Sequence, residues 1–246
     1  MTLADPFDGL DETARLEAVA AGYDPSNPED EFDYFTKRLH VEVIGPWLHG
    51  EHVLEMGCAT GELTSLMAPK AQRYDVVEGS SLNVKAAESR VPTARFFTEL
   101  WEDFIPADSY SDILHVCALE HVAEPVPVLQ RAASWLRPGG RLHVVVPNAD
   151  SLHRLVGVEM GILSHRAELS TSDHRIGHRR VYDLDALRRD VEAAGLRPLH
   201  WQGIFLKALS NSQMLGWDWS LIRALHAVGQ RFPAHCAELY VVAERA

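Results

Sequence analysis

The chain is 246 residues long, 46% apolar and 24% charged, and carries a formal charge of −12 from 23 Lys+Arg against 35 Asp+Glu. That apolar content supports a buried core and excludes disorder as the main state. The negative charge disfavours broad phosphate-backbone binding, so nucleic acid is not an expected partner.

No stretch approaches the ~18 uninterrupted apolar residues of a membrane span. The acidic start lacks the basic-then-apolar order of a signal peptide. Cys58, Cys117 and Cys236 are too few and too scattered for a disulfide framework or a thiolate zinc site. The expectation is a soluble, cytoplasmic protein.

Residues 12–22 and 31–48 read as helices, the second with Phe32, Phe35, Leu39, Val43 and Trp47 on one face, separated by the turn-rich Pro25-Ser26-Asn27-Pro28. From His52 onward, short apolar runs at 52–56, 74–77, 94–97, 112–117 and 141–146 read as strands, with helical stretches at 61–69 and 126–136. Strands alternating with helices imply a mostly parallel sheet covered on both faces. Regularity lapses at 149–182. It returns with an amphipathic helix at 183–194 capped by Gly195, a strand at 197–206, an insertion at 207–235 holding a helix near 219–230, and a closing strand at 239–243. Ligands of such sheets sit beyond the carboxyl ends of the strands, where the two insertions would wall a pocket.

The first strand runs into Glu55-Met56-Gly57-Cys58-Ala59-Thr60-Gly61 and then a helix. Ala59 and Glu62 replace two glycines of the dinucleotide fingerprint, and no Lys-Ser/Thr ending makes a phosphate loop. Carboxylates at Glu55 and Glu62 flank a helix start that would otherwise attract a diphosphate. They favour a cationic or zwitterionic ligand, or a turn that holds no ligand. Glu78 ends the next strand, 23 residues after Glu55, where an acid accepts from ribose hydroxyls. A ribose acceptor without a pyrophosphate cradle suits S-adenosylmethionine and disfavours a nicotinamide oxidoreductase.

Residues 50–148 resemble the core of a class I S-adenosylmethionine-dependent methyltransferase of the small-molecule branch. The carriers of the resemblance are Glu55–Gly61, Glu78, Phe96–Trp101, Ala118-Leu119-Glu120-His121-Val122 and Leu136-Arg137-Pro138-Gly139-Gly140. It implies a Rossmann-like, doubly wound, seven-stranded, mostly parallel α/β sheet. An N-terminal helical lid (1–50) would precede a methyltransferase domain (51–246) with insertions after strands five and six.

It further implies that Glu55, Gly57, Cys58, Ala59 and Gly61 face the methionine part of the cofactor and that Glu78, Gly79 and Ser80 hold the ribose. Leu100 and Trp101 would flank adenine, Val116, Cys117 and Ala118 would line the sulfonium, and Tyr34 and Arg38 would cover the carboxylate. The alanine at 59 is tolerable provided its φ is negative.

Methyl transfer needs alignment, exclusion of water and, for a hydroxyl or protonated amine, a base. Thirteen histidines are present. His178, in Gly177-His178-Arg179-Arg180-Val181-Tyr182, is the candidate base, with Tyr182 as hydrogen-bond partner and Arg175 or Arg179 as clamp for an anionic acceptor; a solvated basic surface is the plainer alternative. His121, at the mouth of the fourth strand, is the third catalytic candidate.

Relatives with E-x-x-E-H there bind a divalent metal, but Cys117 stands where the first acid belongs, so no metal is assigned. Met214, Trp217 and Trp219 would either wall an aromatic acceptor or simply pack. The expected activity is O-methylation of a small secondary metabolite, anionic or aromatic, by a chain compatible with a homodimer. N- or C-methylation, or a non-catalytic cofactor-binding partner, are the alternatives.

Overall fold

The computed structural model describes residues 5–22 and 28–246, save the side chains of residues 28–31, 33 and 34. Seven strands form one sheet: β1 (His52–Met56), β2 (Arg73–Glu78), β3 (Arg95–Thr98), β4 (Tyr110–Val116), β5 (Leu136–Pro147), β6 (Leu196–Ile204) and β7 (Glu238–Arg245), in the order β3-β2-β1-β4-β5-β7-β6. Only β7 runs antiparallel, hydrogen-bonded to both β5 and β6. The chain order reverses between β1 and β4, which opens a crevice beyond their carboxyl ends. The doubly wound, mostly parallel architecture expected from the sequence is the one adopted.

Ten α-helices flank the sheet: α1 (Glu12–Ala21), α2 (Pro28–Ile44), α3 (Glu62–Met67), α4 (Ser81–Arg90), α5 (Pro125–Trp135), α6 (Leu152–Glu159), α7 (Thr171–Arg175), α8 (Leu184–Ala193), α9 (Asn211–Met214) and α10 (Trp219–Gly229), counted among the described residues. Alternate strand residues serve opposite faces. Leu54, Ile113, Val144 and Val241 meet Val128, Leu129, Leu187 and Val191 of α5 and α8. Their neighbours Val53, Leu114, Val145 and Val242 join a second core with Leu39 and Val43 of α2, Leu63 and Met67 of α3, and Ile222 of α10. Burial on both sides explains why these strands read as unbroken apolar runs.

Three local features differ from the sequence reading. β5 begins at Leu136 rather than at the 141 expected: Leu136 pairs with Tyr110, and the register shifts before Arg141 pairs with Asp112. A side chain at Gly140 would strike the carbonyls of Tyr110 and Arg137 at 2.9 and 3.0 Å. The stretch 149–182 holds α6 and α7, hidden in sequence because Gly157 interrupts the first and the second is only five residues long. α2 ends at Ile44 rather than running to 48, because Gly45 and Pro46 turn the chain into a short 3₁₀ segment.

Candidate active site

The glycine loop joins β1 to α3 with Gly57 and Gly61 both at φ +83. A side chain at Gly57 would meet the Trp101 ring at 3.1 Å and Ala118 Cβ at 3.3 Å; one at Gly61 would meet Ala87 of α4 at 2.9 Å. Both glycines are thus required by conformation and by space. Ala59 is also left-handed, at φ +45, so the negative φ expected for it is not what the chain adopts. The turn imposes a conformation that alanine tolerates poorly.

Several expected cofactor contacts converge. Glu78 accepts from the backbone N–H of Cys58 (3.2 Å) and of Ser80 (2.9 Å), tying the end of β2 to the glycine loop. The Asn83 side chain and the Ala59 N–H also donate to it. Burial raises its carboxyl above the usual range. Trp101 Nε1 donates to the carbonyl of Val77, and Leu100 borders Gly79. Ala118 packs beside Gly57 at the end of β4, directly after Val116 and Cys117. Burial and the carboxylates of Glu55 and Glu78 push the Cys58 thiol far up, so it stays neutral.

Other expected contacts lie elsewhere. Glu55 points onto the α3 face, where its Oε2 accepts from Thr64 Oγ1 (2.7 Å) and the Tyr74 hydroxyl (3.0 Å). Burial raises its carboxyl to about 7. Glu62 is ion-paired with Lys37 (3.5 Å) and Arg90 (3.1 Å) and accepts from Thr60. Burial would raise its carboxyl, but Lys37, Thr60 and Arg90 hold it below the usual range.

Of the two carboxylates that were to repel a diphosphate, Glu55 is therefore buried with its charge suppressed, and Glu62 is ionised but ion-paired. The remaining acid at the loop is Glu78. Arg38 lies over the Trp219 ring at 4.1 Å instead of facing the crevice. Tyr34 belongs to α2, and its side chain lies outside the described residues.

One wall of the cofactor crevice was missed in the sequence. α1 lies across the segment that follows β2: Glu17 accepts from Ser80 Oγ (2.9 Å) and the Ser81 N–H (2.7 Å), and Leu16 covers Gly79. The apolar face of 12–22 signalled burial but not its partner.

The surroundings of His178, the expected acceptor side, are built from side chains distant in sequence. α7 opens with a capping box in which Ser170 and Asp173 bond reciprocally. Asp173 Oδ2 also accepts from Arg154 Nη1 (3.2 Å), leaving Oδ1 for His178 Nδ1 at 2.8 Å. Burial opposes ionisation of Asp173, but the hydrogen bonds from His178 and Ser170 hold its carboxyl well below the usual range. An ionised carboxylate only accepts, so Nδ1 must carry a proton, and it is the neutral ring that presents a lone pair at Nε2.

His178 Nε2 faces Glu120 Oε1 at 3.7 Å, and its ring meets His121 edge-on at 4.8 Å between centroids. Burial keeps His121 neutral. Glu120 is fully buried, neither of its oxygens is hydrogen-bonded by the described residues, and burial raises its carboxyl to about 7. Ligating atoms of Glu120, His121 and His178 lie within 4.8 Å of one another, an oxygen–nitrogen–nitrogen set of the kind that borderline divalent ions accept.

Beside His178 a cavity of about 350 Å³ is lined by Asp5, Ala123, Leu169, His174, Arg179 and Arg180. A larger hollow of about 570 Å³, lined by Arg73, Asp75 and Arg95 among others, lies at the amino-terminal ends of β2 and β3, the wrong end of the sheet for a ligand of this fold.

Tyr182 is not a partner of His178: its hydroxyl donates to Asp190 (3.0 Å) and its ring is part of the core. Arg179 is paired with Glu12 of α1. Met214 is fully buried, and Trp219 stacks on Phe35 at 5.9 Å, so both pack against α2.

Residues 41–200 match the family described as "Methyltransferase domain". A ubiquinone biosynthesis O-methyltransferase of Aeromonas salmonicida (strain A449) is 28% identical over 229 residues, covering 84% of this chain and 90% of that protein. Among solved structures, the N-methyltransferase NodS from Bradyrhizobium japonicum WM9 in complex with S-adenosyl-L-homocysteine aligns with a TM-score of 0.59 at 15% identity, over 96% of this chain and 99% of that one. The CcbJ methyltransferase from Streptomyces caelestis aligns with a TM-score of 0.61 at 16% identity, over 96% and 100%. The family match extends over well more than half of the chain, and it agrees with the strand order and the glycine loop: the chain belongs to the methyltransferase-domain family and is a class I S-adenosylmethionine-dependent methyltransferase.

Proposed function

We propose that the chain moves a methyl group from S-adenosylmethionine to a hydroxyl oxygen of a small anionic or aromatic metabolite, in secondary metabolism, with His178 as the base. The observation that carries this reading is the Asp173–His178 pair, which fixes the tautomer so that Nε2 accepts a proton. Arg180 lines the adjoining cavity, with Arg179 held on Glu12 beside it, and favours an anionic group there. A cavity near 350 Å³ suits a small molecule. The names of the O-methyltransferase relatives support oxygen as the acceptor atom.

In the proposed reaction, Gly57, Trp101 and Ala118 would hold S-adenosylmethionine, and the acceptor hydroxyl would be held beside His178. His178 Nε2 takes the hydroxyl proton, leaving the acceptor oxygen free to bond the methyl carbon that S-adenosylmethionine would supply, the carbon–sulfur electron pair passing to sulfur. Asp173 stabilises the imidazolium that results. Charge is consumed at sulfur as it appears on imidazole, so excluding water contributes more than stabilising an anion.

The test is mass spectrometry of products from phenolic and carboxylated hydroxy-compounds incubated with the enzyme and S-adenosylmethionine. Methyl ethers that depend on His178 support the reading. Products methylated only on nitrogen or carbon, or none from any acceptor, overturn it.

A further inference from the structure

Apart from the Asp173–His178 pair, three segments far apart in sequence bring together a sulfur, a nitrogen and an oxygen donor. His40 comes from α2, Cys117 follows β4, and Glu238 opens β7. Because β7 runs antiparallel, its first residue reaches the same end of the sheet as the last residues of β4. Glu238 Oε2 is 2.7 Å from His40 Nε2, and Glu238 Oε1 accepts from Cys117 Sγ at 3.5 Å. Ligating atoms of all three residues lie within 4.8 Å of one another.

We propose that His40, Cys117 and Glu238 form a binding site for a borderline divalent ion, zinc foremost.

Several features on these residues agree. Thiolate, imidazole and carboxylate are the donors zinc accepts, and three protein ligands leave a fourth position for water or another ligand. Thiolate and carboxylate together balance a double positive charge, while His40 binds as neutral imidazole. Cys117 sits at φ +50, a conformation that a β-substituted residue adopts only where its surroundings hold it. His40 is 2% exposed, and its Nδ1 has no partner among the described residues. Bound metal would cross-link α2 to β4 and β7 and so fix one wall of the crevice.

The test uses the full chain, stripped with a chelator and titrated with Co²⁺. Sulfur ligation gives a near-ultraviolet thiolate-to-cobalt charge-transfer band, which the oxygen–nitrogen–nitrogen set at Glu120, His121 and His178 cannot produce. The expected result is one equivalent of Co²⁺ with that band, displaced by Zn²⁺, lost in Cys117→Ala and kept in Glu120→Gln. Glu238→Gln should weaken Co²⁺ binding roughly tenfold or more while keeping the band, which covers the case in which Cys117→Ala does not fold. Wild-type protein that binds no Co²⁺, or binds it without the band, overturns the proposal, as does a band that survives Cys117→Ala.

Discussion

The two sides of the crevice are made differently. The cofactor side is assembled from backbone: the turn at Gly57–Gly61, the N–H groups of Cys58 and Ser80 on Glu78, and close approach of Trp101 and Ala118. The acceptor side is assembled from side chains: Asp173 on His178, His178 against Glu120 and His121, with Arg154 and Ser170 behind. Backbone sites tolerate changes of side-chain charge but not of volume; side-chain sites show the reverse. Substitutions can break or sharpen that contrast.

The largest effect should come from His178→Asn. Its turnover should fall about 10²–10⁴-fold, the usual contribution of a positioned base, with the dissociation constant for S-adenosylhomocysteine unchanged by calorimetry. Turnover within a few-fold of wild type would remove His178 from the mechanism. Asp173→Asn should follow, lowering kcat about 10–100-fold with little change in cofactor affinity, as expected when an orienting partner is lost. Because the Asn amide can donate to Nδ1, the pH–rate profile should change as well as its height. A uniform loss with an unchanged profile would mark Asp173 as structural only.

On the cofactor side, Gly57→Ala should weaken S-adenosylhomocysteine binding about tenfold or more, since the new methyl enters the Trp101–Ala118 contact at a left-handed φ. The turnover of saturated enzyme should change less.

Glu120→Gln tests the buried acid. A carboxyl raised to about 7 in the folded protein, against 4.5 otherwise, stabilises the fold fully below pH 4.5, and that contribution is lost as pH rises through 7. The buried His115 and His153, both pushed down to about 3, act in the opposite sense below pH 6.5, but they cancel when variant and wild type are compared at one pH. The Gln variant should therefore gain stability relative to wild type from pH 5 to pH 8, on the order of 3 kcal/mol at most. A difference flat across that range would contradict the burial argument.

The smallest effect should come from Glu62→Gln. Lys37 and Arg90 already neutralise Glu62, so affinity for S-adenosylhomocysteine should stay within about threefold, an effect below ~0.7 kcal/mol. A large gain in affinity for dinucleotides would instead restore Glu62 as the discriminating charge.

How much of this was legible in the sequence follows the same division. The strands, the order of motifs and the glycines could be read because turn geometry and two-sided burial constrain neighbouring residues. The choice of cofactor was right, but the charges credited with it were not the operative ones. Nothing adjacent in sequence reveals that Lys37 and Arg90 reach Glu62, or that Thr64 and Tyr74 draw Glu55 inward. His178 could be singled out by its motif, whereas Asp173 is assigned its role only by α7, a helix too short to show periodicity. Tyr182 was misplaced because one residue of twist decides whether a side chain meets the cavity or the core. The partnership of His40, Cys117 and Glu238 depends wholly on tertiary structure.

The position of β7 has a kinetic consequence. It is the last of the seven strands in sequence, yet it lies between β5 and β6. During synthesis on the ribosome, β5 therefore exposes an unpaired edge of N–H and C=O groups until residues 238–245 dock, and β6 has no neighbour in the sheet at all. Nascent chains halted before residue 238 should self-associate through that edge, measurable as light scattering that chaperones suppress, and release of the final strand should end it.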